Sequence, residues 1–218
     1  MSRVAIAASS QHVHPAFGRT HLLPSPLTLP GGMFIYGTDL AFGITDFWQV
    51  GTGLLRDVFQ IYNANTKLKL FANTDFAFAL TFGVDYYNPK RFSSAYPNVN
   101  ITAYQPGAVF AMGFHPRVAM FFGANYQYTQ VKVPNVMSGY VRGTRVESDL
   151  TFMYSGADRK GRIANAVSVG ASYDLTYRIY GVGLSHHWPG FQLGLHVYPK
   201  ASNSKFLPIL AGGGSLSF

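Results

Sequence analysis

The sequence predicts an all-β chain folded as an antiparallel β-barrel of about ten strands (range about 8–12) behind an extended, Pro-containing N-terminal segment. Three observations predict it. Apolar and small or polar residues alternate with a period of two along most of the chain, as a strand requires and a helix does not. The composition, with 18 Phe, 14 Tyr and 23 Gly but only 12% charged residues, suits short strands and tight turns. Short turn sequences also alternate with longer connections, as in a meander of hairpins.

Taken in order, residues 1–32 contain Pro15, Pro24, Pro26 and Pro30, which remove ladder donors and argue against a strand. The barrel is expected over 33–218. In 33–43, Phe34, Tyr36, Leu40 and Phe42 share one face, and Gly37, Asp39 and Ala41 the other. In 60–71, Ala64, Thr66, Leu68 and Leu70 oppose Asn63, Asn65, Lys67 and Lys69. The clearest case is 76–87, where Phe76, Phe78, Leu80, Phe82, Val84 and Tyr86 alternate with Ala77, Ala79, Thr81, Gly83 and Asp85. Residues 118–129 repeat it, with Val118, Met120, Phe122, Ala124, Tyr126 and Tyr128 against Ala119, Phe121, Gly123, Asn125 and Gln127. Further strands are expected at 140–155, 162–173, 177–187, 190–198 and 206–218, with loops at 87–100 and 131–139. Roughly eleven segments are legible, and since single-chain barrels usually have an even number, either two merge into one, giving the ten favoured here, or the N-terminus adds a twelfth.

The two faces also indicate the solvent. No run of about 18 apolar residues exists, so no transmembrane helix is expected. A soluble sandwich or lipocalin-like barrel would turn its large apolar residues inward and show Lys, Glu and Arg to water. Here the face opposite the large residues is mostly Ala, Gly, Ser, Asn and Thr. Small polar residues suit a narrow lumen, so the large ones are expected to face lipid.

At this point the sequence resembles bacterial outer-membrane β-barrel proteins. The resemblance rests on the last strand, Phe206 to Phe218, amphipathic and ending in an aromatic residue, and on the stretch Tyr36 to Val50 centred on Gly43-Ile44-Thr45-Asp46. It covers about 33–218 and marks a class rather than a family. It implies an outer-membrane location, export through a cleaved signal peptide that this chain lacks, and recognition of Phe218 by the barrel-assembly machinery. The opening MSRVAIAASS has an apolar run too short for a signal-peptide core.

A net charge of +8 without a basic stripe points to outer-membrane lipids and lipopolysaccharide, possible partners beside another envelope protein, and not to nucleic acid. The absence of Cys excludes thiolate metal sites, disulfides and cysteine nucleophiles. No cofactor is expected. The candidate lumen residues are Lys67, Lys69, Asp39, Asp85, Asn125 and Gln127, with the lysines facing the two aspartates as ion pairs or as a narrow pore lining. Trp48, Tyr62, Tyr86, Tyr126, Tyr128 and Trp188 are expected to form interfacial girdles. Lys90, Arg91, Lys132, Tyr140, Arg142, Arg145 and Glu147 are assigned to loops that face a partner.

Three functions compete. The first is a structural or interaction barrel, occluded either by side chains or by residues 1–32 entering the lumen, the alternative for that segment being a periplasmic tail. The second is a narrow passive pore. The third is a lipid-modifying hydrolase, lipid A deacylase or phospholipase in type, for which Ser185 and His187 share a strand face and supply a hydroxyl and a base. Trp188-Pro189-Gly190 does not resemble the surroundings of such a pair, and the reading is non-enzymatic. His12 and His14, in an H-x-H pair, and His186, His187 and His196 lack a carboxylate spaced to complete a metal site.

Overall fold

The computed structural model describes residues 13–58, 60–91, 98–154, 165–188, 191–200 and 206–217. Twelve strands form one antiparallel sheet: β1 (Met33–Gly37), β2 (Asp39–Thr45), β3 (Trp48–Gly53), β4 (Ile61–Ala72), β5 (Phe76–Tyr87), β6 (Asn100–His115), β7 (Val118–Val133), β8 (Met137–Met153), β9 (Ala166–Asp174), β10 (Ile179–Trp188), β11 (Phe191–Val197) and β12 (Phe206–Ser217). Each strand pairs with its sequence neighbours, and β1 also pairs with β12 from Met33↔Ser217 to Gly37↔Gly213, which closes the sheet into a barrel. A five-residue helix, α1 (Leu54–Val58), follows β3.

Among the described residues the strands number twelve, at the top of the expected range and two above its centre, because 33–43 is two strands rather than one. The chain reverses at Thr38, and Phe34 pairs with Phe42 and Ile35 with Ala41. An odd-residue reversal keeps the period-two parity, so Phe34, Tyr36, Leu40 and Phe42 stay on one face and the sequence pattern runs through the turn unbroken. The expected loop at 131–139 is also shorter than read. β7 runs to Val133 and β8 starts at Met137, joined by a turn in which Asn135 takes φ 61°, a left-handed conformation that Asn tolerates. Lys132, Tyr140 and Arg142 are therefore strand residues on the outer face, and Arg145 and Glu147 strand residues facing the lumen, not loop residues.

The large residues face outward, as Leu80, Phe82, Phe122, Leu184 and Leu193 illustrate, while Ala77, Ala79, Ala111 and Ala119 are buried inside. The short turns at 46–47, 73–75 and 116–117 lie at the end where β1 begins and β12 finishes. We call this the short-turn end. It is also the end from which residues 13–32 run into the barrel.

Candidate functional site: the lumen and the segment that fills it

The lumen is filled, in its short-turn half, by the chain's own residues. Pro15–Gly18 form one 3-10 turn. Pro15 at its first position loses no bond there, and His14 Nδ1 accepts the Ala16 N–H at 3.2 Å. That acceptor role leaves the proton on Nε2, which donates to the His115 carbonyl at 2.8 Å. The turn presents Phe17, fully buried, edge-on to Phe121 with centroids 6.2 Å apart. Ala77, Ala79, Val109, Ala111, Ala119, Met153 and Ala166 complete this apolar cluster. Burying a Phe of this kind contributes about 2–3 kcal/mol.

Beyond the turn the contacts become polar. Arg19 donates to the Trp188 carbonyl at 2.9 Å, and its own carbonyl accepts from Thr151 Oγ1 at 2.6 Å. Thr151 continues through Ser168 (2.7 Å) to His187 Nε2 (2.8 Å). One carboxylate oxygen, Oδ2 of Asp149, accepts three successive backbone N–H groups, from His21 (2.8 Å), Leu22 (3.1 Å) and Leu23 (3.2 Å). An extended segment away from any sheet has no ladder partners for such donors, so this side chain supplies what the segment lacks.

His21 is the deepest polar group. Its Nδ1 lies 2.6 Å from Ser185 Oγ and its Nε2 3.0 Å from His196 Nδ1, while His196 Nε2 meets Ser172 Oγ at 2.9 Å. Burial, and then the neighbouring His196, pushes the His21 pKa down to about 4, so the ring is neutral at pH 7. Gly170 and Gly183 flank it, and a Cβ on either would overlap the imidazole. These two glycines are open seats in the wall for His21.

The segment then turns back. Lys67 Nζ donates to the Ser25 carbonyl at 2.9 Å, Gln49 Oε1 accepts the Leu29 N–H at 3.0 Å, and Thr28 and Gly31 bond to Asp46. Residues 14 and 28–31 thus both lie at the short-turn end, with His21 and Leu23 between them deeper in the lumen.

Several expectations are corrected by these partners. Lys67 binds the N-terminal segment rather than an aspartate, and Asp85 pairs with Arg56 at 2.9 Å. Among the described residues the ion pairs are Arg56–Asp85 and Arg145–Glu147, so no Lys67 or Lys69 bridge to Asp39 or Asp85 is present. Asp39 faces Thr38 at 3.5 Å. Asn125 and Gln127 do face a cavity, in the half of the lumen beyond the segment. Ser185 and His187 share the inward face, yet each bonds elsewhere, Ser185 to His21 and His187 to Ser168. His186 points outward, to the Tyr154 hydroxyl.

Ser185 and His21 have the spacing of a nucleophile and its base. Both are buried, at 0% and 3% exposure, and neither lines the polar cavity beyond the segment. The pair holds the segment in place. Among the described residues, no group of three or more His, Asp or Glu is arranged to hold a metal ion.

Trp48, Tyr62, Tyr126 and Trp188 are exposed on the outer face, and Tyr86 and Tyr128 share it by register with Tyr62 and Tyr104. Trp48 and Trp188 sit at the short-turn end and the four tyrosines toward the other. His12, Phe218 and the side chain of Arg91 lie outside the described residues.

The residues that sequence reasoning missed are His21, Asp149, Thr151, Ser168 and Ser172. A signal existed: Glu147, Asp149 and Thr151 fall at period two on the inward side of β8, beside inward Ser168 and Ser172 of β9. So dense a polar row in a narrow lumen needs partners. No family model, no curated protein and no solved structure matches this chain.

Proposed function

We propose that this chain is an outer-membrane β-barrel of structural or interaction type, occluded by its own N-terminal segment. The observation that carries the membrane reading is the spacing of aromatic rows on the outer face. Along β5, Phe76 at the short-turn end and Tyr86 at the other are ten residues apart, about 33 Å of strand. A tilt of about 35–45° reduces this to about 25 Å of height, the apolar band expected of such barrels. Leu80, Phe82, Leu184, Leu193 and Leu195 lie exposed between the rows, where water would be a poor solvent for them and lipid a good one.

Occlusion is supported by the double use of the lumen wall. Its small residues admit the segment, and Asp149, Ser185, His196 and Lys67 bond it. A barrel so filled conducts no solute by itself, and its outer loops and exposed rim are what it offers to an envelope partner or to lipopolysaccharide. The non-enzymatic reading is supported by the closure around Ser185.

The test joins two measurements on detergent-refolded protein. A gel shift seen only after boiling, with a strand-rich circular dichroism spectrum, is expected of a closed barrel. In planar bilayers the full chain should be silent and a form lacking residues 1–32 should conduct. Steady openings of the full chain would overturn occlusion, and solubility without detergent would overturn the membrane location.

A further inference from the structure

Beyond the N-terminal segment, the other half of the lumen narrows to a polar cup of about 150 Å³. Five inward residues from four adjacent strands face it: Gln105 of β6, Asn125 and Gln127 of β7, Arg145 of β8 and Asp174 at the end of β9. Register sets them side by side, with Asn125 opposite Arg145 and Arg145 opposite Asp174. Tyr177, in the turn after β9, adds an aromatic ring over Gly143, beside the Asp174 carboxylate.

The existing bonds of these groups hold them in place and leave one side of each open. Gln105 donates to Asp85 (2.9 Å) and Gln127 to Thr129 (3.1 Å), which leaves both amide oxygens available. Asp174 Oδ1 accepts the N–H groups of Thr176 and Tyr177, at 2.8 Å each, and its Oδ2 is bonded to no described group. Arg145 contacts the buried Glu147 through Nε at 2.7 Å, a charge contact rather than an aligned hydrogen bond.

We propose that this cup is a binding site for a single neutral sugar ring. Vicinal hydroxyls each donate and accept, and the matching protein groups are planar amides, a carboxylate and a guanidinium fixed around a small space. The cup holds these beside the Tyr177 ring, an apolar surface suited to the C–H side of a sugar. Charge selects further: Glu147 offsets Arg145, while the open Asp174 oxygen repels anions and the guanidinium repels cations. Volume sets the size. About 150 Å³ is well below the roughly 300–1,000 Å³ of pockets that take drug-sized ligands, which suits a single ring. The site concerns the lumen alone and does not depend on the membrane reading.

The source is either a free monosaccharide or the terminal ring of a longer glycan. Saturation-transfer NMR on the full chain in an amine-oxide detergent, which carries no sugar, separates them with glucose, galactose and mannose in one arm and maltotriose in the other. Saturation of a hexose in the monosaccharide arm supports a free sugar. Saturation confined to the terminal ring of maltotriose supports a glycan end. Asn125→Ala and Tyr177→Ala should each weaken binding about fivefold or more, and Lys132→Ala, on the outer face, should leave it unchanged. The side chains of Asn125 and Tyr177 make no described hydrogen bond, and the boiled-only gel shift of each variant checks that the barrel has formed. No transfer from any of the four sugars on correctly shifted protein overturns the proposal. So does binding that survives both cup variants.

Discussion

Nε2 of His21 lies 3.0 Å from Nδ1 of His196, so one proton serves the contact and both rings cannot be charged while it stands. The groups facing this pair are the Asp149 carboxylate, the hydroxyls of Ser185 and Ser172 and, further along the wall, His187, Arg19 and the Arg145–Glu147 pair. With His21 held at about 4 when docked against about 6.5 in water, the undocked segment binds more protons between those values. Docking is thus fully supported above about pH 6.5, weakens as pH falls toward 4 and loses this contribution below it. Because the chain has no cysteine, a spin label on Leu22→Cys reports docking cleanly. A mobile fraction growing between pH 7 and pH 4.5 is the expected result, and an unchanged spectrum contradicts it.

Asp149→Ala strands the N–H groups of His21, Leu22 and Leu23 inside the lumen. Each costs about 1 kcal/mol or more when unbonded, so docking should lose about 2–4 kcal/mol. Asp149→Asn keeps an acceptor oxygen and should lose less. Bilayer conductance ranks the two, with the alanine variant the more often open.

Gly170→Ala tests the seat of His21 without removing any polar group. The new Cβ meets the His21 imidazole and the Asp149 carboxylate, both ends of side chains, so the segment rather than the wall has to give. The expected outcome is a barrel that keeps its gel shift and gains conductance. A silent, fully shifted variant would show that His21 does not hold the segment.

Phe17→Ala removes the apolar anchor of the 3-10 turn and leaves a cavity against Phe121. Core truncations of this size cost about 3–5 kcal/mol. The loss should fall on the segment rather than the barrel, visible as faster amide exchange at 13–20 with β6 and β7 unchanged.

The alternation that marks the strands was legible because a one-sided apolar environment imposes it residue by residue, as in Phe76 to Tyr86. The reversal at Thr38 was not, since a turn that preserves parity leaves no trace in the pattern. Candidate lumen residues could be placed on the inward face by counting, and Asn125 and Gln127 do line the cup. Their partners could not, because counting gives direction and not depth. Lys67 was assigned to a carboxylate across the lumen, whereas the segment comes between and offers the Ser25 carbonyl. His21 was passed over for the same reason. A lone histidine in a Pro-rich stretch acquires meaning only when β8, β10 and β11 surround it.

Residues 14 and 28–31 sit at the same mouth, and His21 hangs between them. The inserted stretch 14–31 is therefore a loop with both ends on one side. A pull from that side on the chain leading into His14 would load the contacts one after another: first His14 and Phe17, then Arg19, then the Asp149 clasp, and last Lys67. Peeling of this kind needs far less peak force than breaking all the contacts together. The lumen could be emptied by a tug at one mouth while the sheet around it stays intact.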